Sequence, residues 1–161
     1  MAAKSASDAT PMKPRTTVKR TSDREVVVTR TFNAAARHVY AAWTQPELFK
    51  QWWLPKSMNM TLLSCEMDVC VGGKYRLVFG GGAEFFGKYV EVVPNSRLAW
   101  TNEESGEVGS ITTVTFEEKA GQTFLVLREL YPTKEALDAA GTGAQDALVE
   151  TFVQLDELLA G

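Results

Sequence analysis

The chain has 161 residues, 45% of them hydrophobic and 23% charged, and seventeen Lys and Arg against twenty Asp and Glu give a formal charge of −3. That length is one domain, able to bury about two-thirds of its unfolded surface without disulfide or metal staples. A single histidine excludes a His-rich metal site and a Cys/His zinc site of ordinary spacing, and the apolar fraction excludes a disordered chain.

Residues 1–30 hold seven bases and three acids, whereas the remainder holds ten bases and seventeen acids. The expected division is a basic polar arm, 1–23, followed by a single domain, 24–161. The arm lacks the interleaved aromatics that nucleic-acid binding favours and the apolar core of a secretory signal. Asp8 and the low arginine count oppose a transit peptide. No nucleic-acid partner, no membrane span and a cytoplasmic location are the expectations.

A strand is predicted over 24–32, where Val26, Val27, Val28 and Phe32 stand amid Thr29 and Thr31. Asn33 is a suitable N-cap for a short helix over 34–43, with Val39 and Trp43 four apart on one side. Thr44-Gln45-Pro46-Glu47 has the spacing of a capping box with proline in the first turn, so a second helix starts there and Pro55 stops it. From Met60 the period changes to two. Strands are predicted at 60–69, 73–79, 84–93, 97–104, 109–118 and 122–131, punctuated by Gly72-Gly73, Gly80-Gly81-Gly82, Pro94-Asn95, Glu104-Ser105-Gly106 and Ala120-Gly121. Such spacing marks an antiparallel meander. A helical turn over Lys134–Ala140 and a helix over 144–159 close the chain, the latter placing Leu148, Phe152, Leu155 and Leu159 on one face. The order β-α-α-β₆-α predicts an α+β domain, with a curved antiparallel sheet of about seven strands around one long helix. Cys65 and Cys70 are read as free packing thiols.

Several runs resemble one family. They are Arg30-Thr31-Phe32-Asn33-Ala34, then Val39-Tyr40-Ala41-Ala42-Trp43-Thr44-Gln45-Pro46-Glu47 and Trp52-Trp53, then Glu66-Met67-Asp68-Val69-Cys70-Val71-Gly72-Gly73-Lys74-Tyr75-Arg76. Gly87-Lys88-Tyr89-Val90-Glu91-Val92, Arg97-Leu98-Ala99-Trp100-Thr101 and Leu155-Asp156-Glu157-Leu158-Leu159 follow in order. Together they resemble domains similar to the C-terminal domain of the activator of the heat-shock-protein-90 ATPase, over about residues 24–160. The resemblance implies the helix-grip fold of the SRPBCC superfamily, which includes START-related and birch-pollen-allergen-like domains. Two positions depart from the family wording: Leu54 precedes Pro55, and Cys70 stands where many members have Arg.

A helix-grip fold implies a cavity between the sheet and the C-terminal helix, with Trp53, Tyr75, Leu77, Phe86, Tyr89, Trp100, Leu125 and Phe152 as its expected walls; the same residues also suit a packed core. Tyr89 and Glu91 share strand parity beside Gly87, so Glu91 is either a carboxylate near the pocket or half of a surface pair with Arg76. His38, Glu66, Asp68 and Glu84 form no recognisable catalytic set, and no cofactor is implied. The expected function is non-catalytic binding of a hydrophobic or aromatic small molecule, lipid or polyketide-like, by a monomer or homodimer. A protein-interaction module with a protein partner is the alternative, and a polyketide-cyclase-like enzyme the third.

Overall fold

The computed structural model of the chain describes residues 15–103 and 109–160. In order, the elements are β1 (Thr17–Arg20), β2 (Glu25–Phe32), α1 (Ala36–Thr44), α2 (Pro46–Phe49), a 3₁₀ turn (Lys56–Met58), β3 (Leu62–Met67), β4 (Lys74–Phe79), β5 (Glu84–Val93), β6 (Arg97–Thr101), β7 (Ile111–Lys119), β8 (Gln122–Leu130), α3 (Lys134–Ala140) and α4 (Gly143–Ala160). The strands form one antiparallel sheet in the order β1-β2-β8-β7-β6-β5-β4-β3. This is the expected α+β architecture, a curved open sheet with a long C-terminal helix. The sheet has eight strands rather than about seven. The added one comes from the expected arm: Thr17 lies opposite Thr29 and Arg20 opposite Val26, with Val18 packed on the core. Residues 1–14 of that arm, Glu104 at the end of the predicted strand 97–104 and the turn Glu104-Ser105-Gly106 lie outside the described residues.

The first helices start differently from their sequence signals. Ala35, not Asn33, occupies the N-cap of α1, and the free Ala36 N–H donates to Glu118 Oε1 on β7 at 2.8 Å. The adjoining Ala34 carbonyl accepts from Thr123 Oγ1 on β8 at 2.7 Å. The orphan donor at this helix start is therefore satisfied by a neighbouring strand, which no local pattern in 33–36 encodes. The capping box does not form either. Thr44 Oγ1 turns back to the Tyr40 carbonyl at 2.9 Å, Gln45 becomes the N-cap, and Pro46 opens a single turn that ends at Phe49, well before Pro55.

The core collects on the concave face. Tyr75, Leu77 and Phe79 of β4, Leu98 of β6, Val114 and Phe116 of β7, and Leu125 and Leu127 of β8 are all buried at alternate positions. Helix α4 packs against α1, β1 and β2, where Phe152 meets Phe32 edge-on at 5.4 Å. Polar groups fix its seat. Gln154 Nε2 donates to the carbonyls of Trp52 at 3.1 Å and Leu54 at 2.8 Å, and its Oε1 accepts from Lys56 N–H at 2.9 Å. One turn earlier, Glu150 accepts from the backbone N–H and the hydroxyl of Ser57. Arg30, 5% exposed on β2, reaches Asp156 at 3.6 Å.

Gly87 on β5 is required by a close backbone approach. A Cβ there would lie 2.0 Å from the Thr101 carbonyl oxygen, so the space is taken by β6 and not by a ligand. Gly87→Ala is expected to cost about 2 kcal/mol or more, read as a lower urea midpoint. Gly143→Ala, where a Cβ meets nothing within 4 Å, is expected to leave the midpoint unchanged or raised. The Ser57 hydrogen bonds hold the Glu150 carboxyl below its usual range. A carboxylate lowered on folding contributes stability above its unfolded pKa and loses it as pH falls through the folded value. The stability difference between wild type and Ser57→Ala should therefore be present at pH 7 and shrink on acidification to about pH 3. An equal difference at both pH values would contradict that origin.

Candidate functional site

Trp43, the last apolar residue of α1, organises the space between the helices and the sheet. Its ring packs against Trp52 at 4.8 Å, Trp53 at 6.0 Å and Trp100 at 5.9 Å, and against Phe116 and Phe152 on its other sides. Phe49 of α2 stacks on Trp53 at 4.7 Å, and Trp52 is pinned by its Nε1–H to the Ala42 carbonyl at 3.0 Å. This wall of indoles stands over β4, β5 and β6. Between them lies a cavity of about 50 Å³ lined by Trp43, Phe49, Trp53, Met67, Tyr75, Leu77, Phe85, Tyr89, Trp100 and Asn102. Its mouth is formed by the partly exposed Trp53, Met67, Phe85, Trp100 and Asn102.

Of the residues expected to line a cavity, Trp53, Tyr75, Leu77, Tyr89 and Trp100 come together here. The other four do not. Leu125 and Phe152 are completely buried in the packed core beneath α4. The space below the long helix is filled, and the cavity opens under α1 and α2 instead of between sheet and C-terminal helix. Phe86 points to the opposite, outer face, opposite Arg76 across the strand pair. There it sits in a shallow depression with Glu66, Lys74, Arg76, Glu84 and Lys88. Glu91 is turned outward by a bulge in β5: Tyr89 pairs with Trp100 but Glu91 with Ala99, so one extra residue intervenes and the parity changes. Glu91 bonds Arg97 at 2.7 Å on the surface, while Arg76 bonds Glu84 at 2.8 Å and holds that carboxyl below its usual range.

The residues that sequence reasoning missed are Trp43, Phe49, Met67, Phe85 and Asn102. Two of them carried a usable signal. Phe85 shares the parity of Gly87 and Tyr89, and Asn102 that of Leu98 and Trp100.

The polar atoms around the cavity are few. Tyr75 donates its hydroxyl proton to the Thr101 carbonyl at 2.8 Å. Asn102 is held by Ser110 and Thr112 on the far side. Ser110 continues to Glu129, which also accepts from Gln145 of α4 at 2.9 Å. Tyr89 is 3% exposed, and burial pushes its phenol far above the ordinary value. Cys65 lies just beyond the wall, and burial raises its thiol. Both groups are protonated at neutral pH. Among the described residues, no cluster of His, Cys, Asp and Glu is placed to hold a metal, and no helix is long and apolar enough to cross a membrane. His38 on α1 is exposed to solvent.

The same architecture recurs in solved structures. A protein from Rhodobacter sphaeroides is similar at a TM-score of 0.79 and 25% identity, over 91% of this chain and 98% of that one. A Nitrosomonas europaea protein is similar at 0.75 and 22% identity over 86% and 96% of the two chains, and a Mycobacterium smegmatis protein at 0.75 and 20% over 89% and 96%. The last two likenesses are of fold alone. No curated protein matches the sequence. Residues 33–160 match the family described as Activator of Hsp90 ATPase homolog 1-like protein, a span that runs from the turn before α1 to the end of α4. The chain belongs to that family.

Proposed function

We propose that this domain binds a small, predominantly aromatic molecule in the cavity under α1 and α2, without transforming it. The observation that carries the reading is the wall itself: Trp43, Phe49, Trp53, Tyr75, Tyr89 and Trp100 surround a space that no side chain of the described residues fills. A water molecule needs roughly 10–15 Å³ of such space and an enclosed benzene about 150 Å³, so about 50 Å³ takes the edge of a single ring through the open mouth rather than a lipid or polyketide. Larger ligands require the partly exposed Trp53 and Phe85 at the mouth to swing outward.

The lining also supports binding over catalysis. Among the described residues it holds no carboxylate, imidazole or thiol, and the Tyr89 phenol is tuned away from neutral pH, the opposite of what a general base requires. Desolvation of the aromatic walls supplies affinity, and the indoles of Trp43, Trp53 and Trp100 supply a readout.

Toluene is a suitable first probe. It is expected to raise the Tm in a concentration-dependent way, as linkage requires, and to perturb tryptophan emission. Phe85→Ala should weaken toluene about three- to tenfold, because it removes one ring from the mouth. Phe86→Ala, one residue away on the outer face, should leave the affinity unchanged. Absence of any Tm or emission change with toluene would refute the binding reading.

A further inference from the structure

The polar atoms that interrupt the aromatic wall have defined states, and together they specify a chemical group. The two protons of Asn102 Nδ2 are shared among three acceptors, the Ser110 carbonyl at 3.1 Å, Ser110 Oγ at 3.0 Å and Thr112 Oγ1 at 3.0 Å. Ser110 Oγ is an acceptor in that bond because its own proton goes to Glu129 Oε2 at 2.6 Å. A flipped amide would set Oδ1 against the Ser110 carbonyl oxygen, so the network permits one orientation. Oδ1 then faces the Tyr75 hydroxyl at 3.2 Å. That hydroxyl has a nearer acceptor in the Thr101 carbonyl at 2.8 Å. One phenolic proton serves the nearer oxygen, and Asn102 Oδ1, with two lone pairs, retains capacity for a donor from the cavity.

A donor is present as well. The Tyr89 hydroxyl has no hydrogen-bond partner among the described residues, and it is neutral, able both to donate and to accept. A polar group left in this state inside an aromatic wall gains from a ligand that matches it. A carbonyl ligand accepts only and leaves Asn102 unmatched. An ammonium donates only, and among the described residues the lining holds no carboxylate to pair its charge. A neutral hydroxyl does both.

We propose that the cavity selects a hydroxylated single aromatic ring, a phenol, whose O–H donates to Asn102 Oδ1 and whose oxygen accepts from the Tyr89 hydroxyl. This rests on reading the cavity as a binding site and assigns the class of molecule it takes.

Phenol and toluene, nearly equal in shape, separate the two claims. In a wholly apolar cavity toluene binds better, because phenol leaves its hydration behind for nothing. Calorimetric titration of the full chain is expected to show phenol binding about tenfold tighter than toluene, as sites built around a buried hydrogen bond discriminate. Tyr89→Phe should narrow that ratio, and Asn102→Ala should reverse it. Where Asn102→Ala fails to fold, the wild-type ratio and Tyr89→Phe carry the test. Toluene bound as tightly as phenol, or more tightly, overturns the hydroxyl assignment while the binding site stands. Phenol preference retained in folded Asn102→Ala overturns the role of Asn102. No binding of either molecule removes the site and the assignment together.

Discussion

Everything in the concave half of this domain is arranged around the need to bury Trp43. An indole of this size removes about 150–250 Å² from water, an upper bound of roughly 4–6 kcal/mol. A nine-residue helix cannot do that alone. Trp52 closes one side and is itself tied to the Ala42 carbonyl, so α1 and the segment after α2 are locked to each other by contacts that do not involve the sheet. Phe116 and Phe152 take two further sides, which joins β7 and α4 to the same centre. On the remaining side Trp43 touches Trp100, which in turn meets Tyr89, and the three rings border the open space. The cavity is thus the unfilled flank of an otherwise complete aromatic shell.

Polar bonds decide where that shell sits. Gln154 is buried, yet both its amide protons and its oxygen are engaged by the backbone of Trp52, Leu54 and Lys56. Leucine at that position would pack, but would leave two carbonyls and an N–H without partners. Glu118 and Thr123 do the corresponding work at the entry to α1. Helices on this sheet are therefore positioned by single polar side chains from distant parts of the chain, while the aromatics supply most of the stabilisation.

Most of the fold was legible because its strands alternate cleanly and its turns are marked by glycine and Pro-Asn pairs. The meander from Leu62 to Leu130 follows the period-two pattern closely, and α4 follows its Leu148, Phe152, Leu155 stripe. What stayed hidden was non-local. Thr17–Arg20 reads as a polar arm, since its strand state comes from pairing with β2. Ala35 makes a poor cap until Glu118 arrives from β7. The cavity walls were half visible: alternation places Tyr75, Leu77, Tyr89 and Trp100, but nothing in a helical stripe says that Phe152 meets packed neighbours while Trp53 meets open space. Family resemblance suggested a space under the long helix, and the bulk of Phe32, Trp43 and Trp52 around Phe152 removes it.

The bulge between Tyr89 and Glu91 has an evolutionary reading. It keeps the only carboxylate of that stretch on the outside by the insertion of one residue. Loss of one residue downstream, with the pairing running regularly from Tyr89 to Trp100, would bring Glu91 opposite Leu98 and turn its side chain to the interior. A scaffold whose wall changes from neutral to acidic through a single codon deletion lies one genetic step from proton-transfer chemistry. Diversification within such a lineage can then proceed through strand length, with the aromatic shell left intact.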